Sequence, residues 1–478
     1  MASTGRPSAG SHQSCNRALE LIASRRAHHL EEWKELVAIP SISTNPACSA
    51  DVARAAAWLS GRLSAYGASR SEVIATNGHP LVWAEFPAER ADAPTVLVYG
   101  HYDVQPADPL DLWESDPFVP TERDGRLYAR GASDMKAQVM ATMLAVRAVA
   151  EAGPLPVTVR FLLEGEEEIG SPSLVPAIEA NAERLRADVC LNPDTGMIDA
   201  RTPSIRYGLR GIAYFELTVA GPERDLHSGS FGGVVHNPAQ ALAEIIAGMH
   251  DERGRVTLPG FYDRVRELDA AERDRLAKVP VTDEDIRTLA GVPTLWGEPE
   301  YTVVERTGAR PTLEINGIWG GYTGPGQKTL IPARAHAKIS TRLVPDQRPS
   351  EVRQQLEAYL AAATPRGVRW SLTELASGDP FICDPDSPAH RAFAEALREV
   401  WKAPPVLARI GGSVPVAADL ERLLGMPSVL TGFALPDDQI HSPNESQDIA
   451  NWYRGIEAIA RFLYRYAETA LAPGGAGT

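Results

Sequence analysis

The sequence predicts an α/β protein: a mixed, largely parallel sheet flanked by helices, with a separate α+β segment inserted into it. Three observations carry that expectation. Short apolar runs of the buried-strand type alternate with helical patterns. Four of those runs stop at acidic residues or lead to a histidine. The stretch between about 203 and 386 changes character, to longer strands with alternating side chains. Length agrees, because 478 residues exceed one ordinary core and imply two or three domains.

Taken in chain order, Met1 to Asn16 is polar and rich in Gly and Ser, lacks the apolar stretch of a secretory signal, and reads as a frayed leader. A helix is expected from Ala18 to Val37, followed by a break at Pro40-Ser41-Ile42-Ser43. A second helix fits Asp51 to Tyr66, where Val52, Ala56, Leu59, Leu63 and Tyr66 line one face. Thr95 to Tyr99 is the first buried-type strand, and it stops at Gly100-His101-Tyr102-Asp103. Lys136 to Ala152 is a strongly apolar helix whose start is marked by Ser133 and Asp134. Val157 to Leu163 stops at Glu164-Gly165-Glu166-Glu167-Glu168, and Ala187 to Leu191 stops at Asn192-Pro193-Asp194. Far downstream, Ser428 to Gly432 leads through a short loop to His441. Ligands of such sheets gather beyond the carboxyl ends of the strands. The acidic residues and histidines at these ends are therefore expected to share a crevice.

Within the insert, Ile212 to Ala220 and Ala333 to Leu343 alternate as half-buried strands, the second carrying Arg334, His336, Lys338 and Arg342 on one face. Helices fit Pro238 to Met249 and Ser350 to Ala363. Two helices on an antiparallel sheet make a domain of ferredoxin-like type. The expected boundaries are 17–202 and 387–470 for the sheet domain and 203–386 for the insert.

Composition narrows the function. Apolar content of 44% and charged content of 23% are those of a globular protein, and no apolar run is long enough to span a bilayer. Forty-seven basic against 62 acidic residues give a formal charge of −15, which repels nucleic acid. Cys15, Cys48, Cys190 and Cys383 are scattered, without a CxxC pair. They read as reduced thiols of a cytoplasmic protein and leave any metal to His and carboxylates.

The elements that carry chemistry are His101-x-Asp103, Gly131-Ala132-Ser133-Asp134-Met135-Lys136, Glu167-Glu168, Asp194 and Ile440-His441-Ser442-Pro443-Asn444-Glu445. Singly, each has a bland explanation: a capping pair, a helix cap at Asp134, a solvated acidic turn, a loop histidine. Asp188 and Asp199 compete with Asp194 on spacing alone. Together and in this order they resemble the M20 family of metallopeptidases and amidohydrolases, over about Leu30 to Tyr466. The resemblance is closest to the carnosinase-like dipeptidase branch, through Leu163-Glu164-Gly165-Glu166-Glu167-Glu168-Ile169-Gly170-Ser171, Asp225-Leu226-His227-Ser228-Gly229 and Arg342-Leu343-Val344-Pro345.

That resemblance implies one divalent ion on His101, Asp134 and Asp194 and a second on Asp134, Glu168 and His441, so that Asp134 bridges them. Zinc is the first expectation, with manganese or cobalt as alternatives. It further implies Asp103 behind His101, Glu167 as general base toward a water between the ions, and His227 as oxyanion donor, often supplied by a partner subunit. Arg342 and Thr329, with Gly412 and Ser413 in a Gly-Gly-Ser turn, are the expected holders of a substrate carboxylate. The insert would act as a lid and a homodimer contact.

The expected substrate is a dipeptide or small peptide with a free carboxylate. The alternative is an N-acyl amino acid cleaved by the same residues. A non-catalytic relative would have lost Asp134, Glu167 or His441, and none is lost. A calcium or magnesium cage would use oxygen ligands almost alone, against two histidines here.

Overall fold

The computed structural model describes residues 9–412 and 415–470. The chain divides into two compact units. The first comprises residues up to Tyr207, Cys383–Leu407 and those from Asp419 onward; the second comprises Gly208–Ile382 and Ala408–Ala418. The segment Ala408–Ala418 therefore groups with the second unit and not with the sheet domain, where the expected boundaries place it.

The first unit is built on a mixed sheet in the order Arg70–Ile74, Leu81–Phe86, Thr158–Glu164, Thr95–His101, Val189–Asn192, Ser428–Thr431, Ser204–Leu209. The four strands from Thr158–Glu164 to Ser428–Thr431 run parallel to one another, and their outer neighbours run antiparallel. Burial on both faces explains why these central strands read as continuous apolar runs instead of alternating ones. Val96 to His101, for example, are all buried. Register places Val98 beside both Phe161 and Leu191, and His101 beside Glu164. The carboxyl ends of the parallel strands thus lie together.

Helix Lys136–Ala152 is buried on almost every side because Ile449–Ala470 and Ala9–Ser24 pack against it. Trp452 donates its indole N–H to Ala137 O at 2.8 Å and stacks on Trp33 with centroids 4.4 Å apart. Two expectations need correction here. The leader is helical from Ala9, with Cys15, Ala18, Leu19 and Ile22 packed on the main core. Its polar composition hid a single apolar face. The helix expected over Ala18 to Val37 is broken at Arg25, giving Ala9–Ser24 and Arg26–Val37.

The second unit has a four-stranded antiparallel sheet in the order Thr312–Gly320, Arg334–Leu343, Gly211–Ala220, Arg369–Gly378. Helices Pro238–Ala247 and Pro349–Ala363 connect it in the βαββαβ sequence of a ferredoxin-like fold. Side chains of Gly211–Ala220 alternate strictly between buried and half-buried, so one face feeds a core of Phe215, Leu217, Val219, Ile339 and Leu356. Helix Pro238–Ala247 begins as its sequence predicts, with the Asn237 side chain accepting the Ala239 N–H at 2.9 Å and Pro238 in the first turn.

The four cysteines are free thiols. Among the described residues, no helix is long and apolar enough to cross a membrane.

Candidate metal centre

The ends of parallel strands, the loop to His441 and the segment before helix Lys136–Ala152 bring the predicted ligands together in the first unit. Asp134 is at their middle. Its Oδ1 lies 3.1 Å from His101 Nε2 and its Oδ2 lies 3.0 Å from His441 Nε2. One carboxylate thus faces two imidazoles, one with each oxygen. Asp194 Oδ1 is 3.9 Å from the same His101 nitrogen, and Glu168 Oε2 is 3.4 Å from His441 Nε2. Among the described residues, His101, Asp134 and Glu168 can offer ligand atoms that all lie within 4.8 Å of one another.

Local chemistry explains each placement. The helix starts at Lys136, where Ser133 and Asp134 mark it, and the bland alternative of Asp134 as a helix cap is not what the structure shows. The N-cap of Lys136–Ala152 is Met135, without a side-chain cap bond, and the Asp134 carboxylate turns to the imidazoles. The Asp134–Met135 peptide is cis. Asp194 is aimed by an Asx turn in which its own N–H donates to Asn192 Oδ1 at 3.0 Å. Gly432 makes room for that loop: a Cβ there would stand 1.6 Å from Thr195 O. The rival acids are occupied elsewhere. Asp188 accepts the Thr95 N–H, and Asp199 closes its own turn with Arg201 and Thr202.

Asp103 is fully buried and serves two neighbours. His101 Nδ1 lies 3.1 Å from its backbone oxygen and 3.4 Å from Oδ1. Its two carboxylate oxygens also accept the Glu167 and Glu168 N–H groups at 3.2 and 3.1 Å. The short helix Glu167–Ile169 that carries the predicted base is therefore tied to the predicted ligand His101. Glu166, beside that base, faces away from the centre, accepting N–H groups of His79 and Ser173. Gln105, which no motif in the sequence singles out, donates to Glu168 Oε2 at 2.7 Å. Its only signal was its place two residues beyond Asp103.

The electrostatics are those of crowded acids with two imidazoles among them. Burial lifts Glu167 and the nearby carboxylates lift it further, against the pull of His101. Burial likewise holds Asp194 well above the aspartate range. Burial would raise Asp134 too, but hydrogen bonds from His101 and His441 hold it below its ordinary value. His441, bonded to Asp134 and Glu168, is pushed up to about 10. The set suits cations: each imidazole turns one nitrogen toward carboxylate oxygens, and mixed nitrogen and oxygen donors favour a transition ion. Beside it, a cavity of about 240 Å³ is lined by Asp134, Asp194, Met197, Leu435 and Ile440.

The remaining predicted residues belong to the second unit. His227 is exposed and its Nδ1 accepts the Gly229 N–H at 3.0 Å, which leaves Nε2 to carry the proton. Thr329 is its neighbour, accepting the Ser228 N–H at 3.1 Å. Arg342, on the strand Arg334–Leu343, lines a cavity of about 330 Å³ with Arg210, His250, Trp296 and Glu314. Gly412 is exposed, next to Gly411, whose carbonyl accepts from Arg210 at 3.4 Å. Ser413 lies outside the described residues.

Comparison with known proteins shows the family. Residues 97–465 match the family described as Peptidase family M20/M25/M40. The chain is 31% identical over 471 residues to the Cys-Gly metallodipeptidase dug1 of Schizosaccharomyces pombe, covering 95% of this chain and 98% of that one. It is 34% identical over 395 residues to the Beta-Ala-His dipeptidase of Homo sapiens, covering 81% and 78%. The crystal structure of an M20 family metallo-carboxypeptidase, Sso-CP2 from Sulfolobus solfataricus, superimposes with a TM-score of 0.81 at 34% identity, covering 92% of this chain and 99% of that one.

Proposed function

The chain belongs to the peptidase family M20/M25/M40, and on that premise we propose that it hydrolyses the amide bond of dipeptides or similarly small peptides with the help of two divalent ions. The observation that carries the proposal is Asp134, whose two oxygens each approach a different imidazole. Relatives named for Cys-Gly and Beta-Ala-His substrates support the dipeptide class.

His101, Asp134 and Asp194 would hold one ion, and Asp134, Glu168 and His441 the other. When bound, such ions supply Lewis acidity toward the scissile carbonyl and offset its developing negative charge. The remaining chemistry belongs to side chains. Glu167, with its carboxyl raised by burial, accepts a proton from the attacking water and returns it to the leaving amine. Asp103 orients His101 through Nδ1, which frees Nε2 to act as ligand, and holds the backbone of the base at the same time. His227, with its proton on Nε2, is suited to donate to the oxyanion. Arg342, with Thr329 and the Gly412-Ser413 turn, is assigned to the substrate's carboxylate on the motifs around it.

Zinc is our choice of resident ion, because a mixed imidazole and carboxylate set with two histidines suits it. A homodimer formed through the second unit is supported by its outer strand Thr312–Gly320, a sheet edge bearing the exposed Ile318 and Trp319. A hydrolysis screen tests the proposal, using dipeptides and acyl-amino acids with zinc, manganese or cobalt restored to chelator-treated protein. Turnover of dipeptides is expected. Turnover of acyl-amino acids with no dipeptide cleaved would overturn the substrate class.

A further inference from the structure

His101 ends one strand of the parallel sheet, and Asp194 and Glu168 follow within two and four residues of two others, but Asp134 and His441 are placed differently. Asp134 precedes a helix, and His441 is half-exposed on a loop with a φ of 62°. Their mutual distance of 3.0 Å has to be set by something other than the sheet.

Glu445, four residues beyond His441, reaches across to the Asp134 loop. Its Oε1 accepts the N–H groups of Ser133 at 2.9 Å and Asp134 at 3.0 Å. Its Oε2 accepts the N–H of Gly131 at 2.9 Å and Arg130 Nη1 at 2.6 Å. Its own backbone oxygen accepts the Ala129 N–H at 3.1 Å. Four donors fill the lone-pair sites of a carboxylate that is almost wholly out of water. Arg130 is equally buried and extends the link, since its Nη2 donates to Pro106 O at 3.1 Å, in the loop that follows His101 and Asp103. Asn444 adds a second strap, donating to Leu112 O at 2.9 Å and accepting the Glu114 N–H at 2.8 Å.

We infer that Glu445 is a positioning residue of the metal centre: one buried carboxylate, paired with Arg130, locks the Asp134 loop against the His441 loop and so fixes where both ligands stand. The inference rests on the metal-centre reading above. No other side chain among the described residues accepts the Asp134 N–H, so a change at Glu445 acts on both loops together.

Glu445→Gln tests it. A glutamine offers one oxygen and one NH₂, and whichever way the amide turns, the NH₂ meets two donors that the carboxylate had satisfied. Chelator-stripped protein is titrated with zinc chloride alone, wild type beside variant, with circular dichroism recording the fold. The expected result is roughly 10–100-fold weaker zinc binding by a folded variant. A merely structural role would lower the melting temperature and leave zinc affinity at the wild-type value, and that result overturns the inference. Wild type that binds no zinc at all would instead overturn the metal-centre reading. If the variant does not fold, amide hydrogen exchange on metal-free wild type decides. Slow exchange of the Gly131, Ser133 and Asp134 amides, comparable to the sheet, is expected; exchange at the rate of an open loop would count against Glu445.

Discussion

Removing the ions should leave a protein held together at its centre by protons, and its stability should then fall as the pH rises. His441 shows why. Hydrogen bonds to Asp134 and Glu168 raise it from 6.5 to about 10. A histidine whose folded value lies above its unfolded one contributes stability that is fully present below about 6.5 and is lost as pH climbs through about 10. For a group shielded from water, that rise would be worth roughly 5 kcal/mol. The His441 side chain is 51% exposed, so solvent screening reduces the contribution to roughly 1–2 kcal/mol. Glu164, raised to about 8 by burial, acts with the same sign at lower pH. The assay is urea unfolding in excess chelator at pH 6.5, 8 and 9.5, for wild type and His441→Gln. Wild type should lead the variant by roughly 1–2 kcal/mol at pH 6.5, with the difference vanishing by pH 9.5 or soon after. Saturating zinc should reverse the trend, because ligands must shed protons to bind it. A difference between the two proteins that stays constant over this range would refute the reasoning.

Three further outcomes are expected. Glu167→Gln should lower kcat by roughly 10²–10⁴-fold while the protein still takes up two zinc equivalents by metal analysis, as expected of a base that is not a ligand. Arg342→Ala should reduce kcat/KM for dipeptides by roughly 10–100-fold, equivalent to the loss of one hydrogen bond to a charged group, and should leave C-terminally amidated substrates unaffected. Trp452→Ala empties a fully buried site stacked on Trp33 and should cost about 3–5 kcal/mol, read as a lower urea midpoint.

Much of this architecture is visible in the amino-acid order because burial leaves a simple trace. Strands covered on both faces, such as Thr95–His101, are apolar throughout, and strands covered on one face, such as Gly211–Ala220, alternate. The predicted ligands are visible for a related reason: charged residues immediately past a buried strand must face a crevice or solvent. Features without such a trace are missed, or stay ambiguous when the residues are read without the resemblance. Helix Ala9–Ser24 buries only one face, so its composition reads as polar. Asp134 has the residue type and the position of a helix cap, and only the imidazoles from distant segments show that it is not one. The distinction between Asp194 and its rivals Asp188 and Asp199 rests on an Asx turn and a close approach at Gly432. Glu445 meets Asp134 across 311 residues of chain, and no local pattern encodes a hydrogen bond of that reach.

Anomalous diffraction from zinc-loaded crystals tests the central claim most directly, since it locates the cations themselves. Two peaks per chain are predicted, one against each oxygen of Asp134, with His101 and Asp194 completing one site and Glu168 and His441 the other. A single peak, or peaks that leave Asp134 without a cation, would contradict the account.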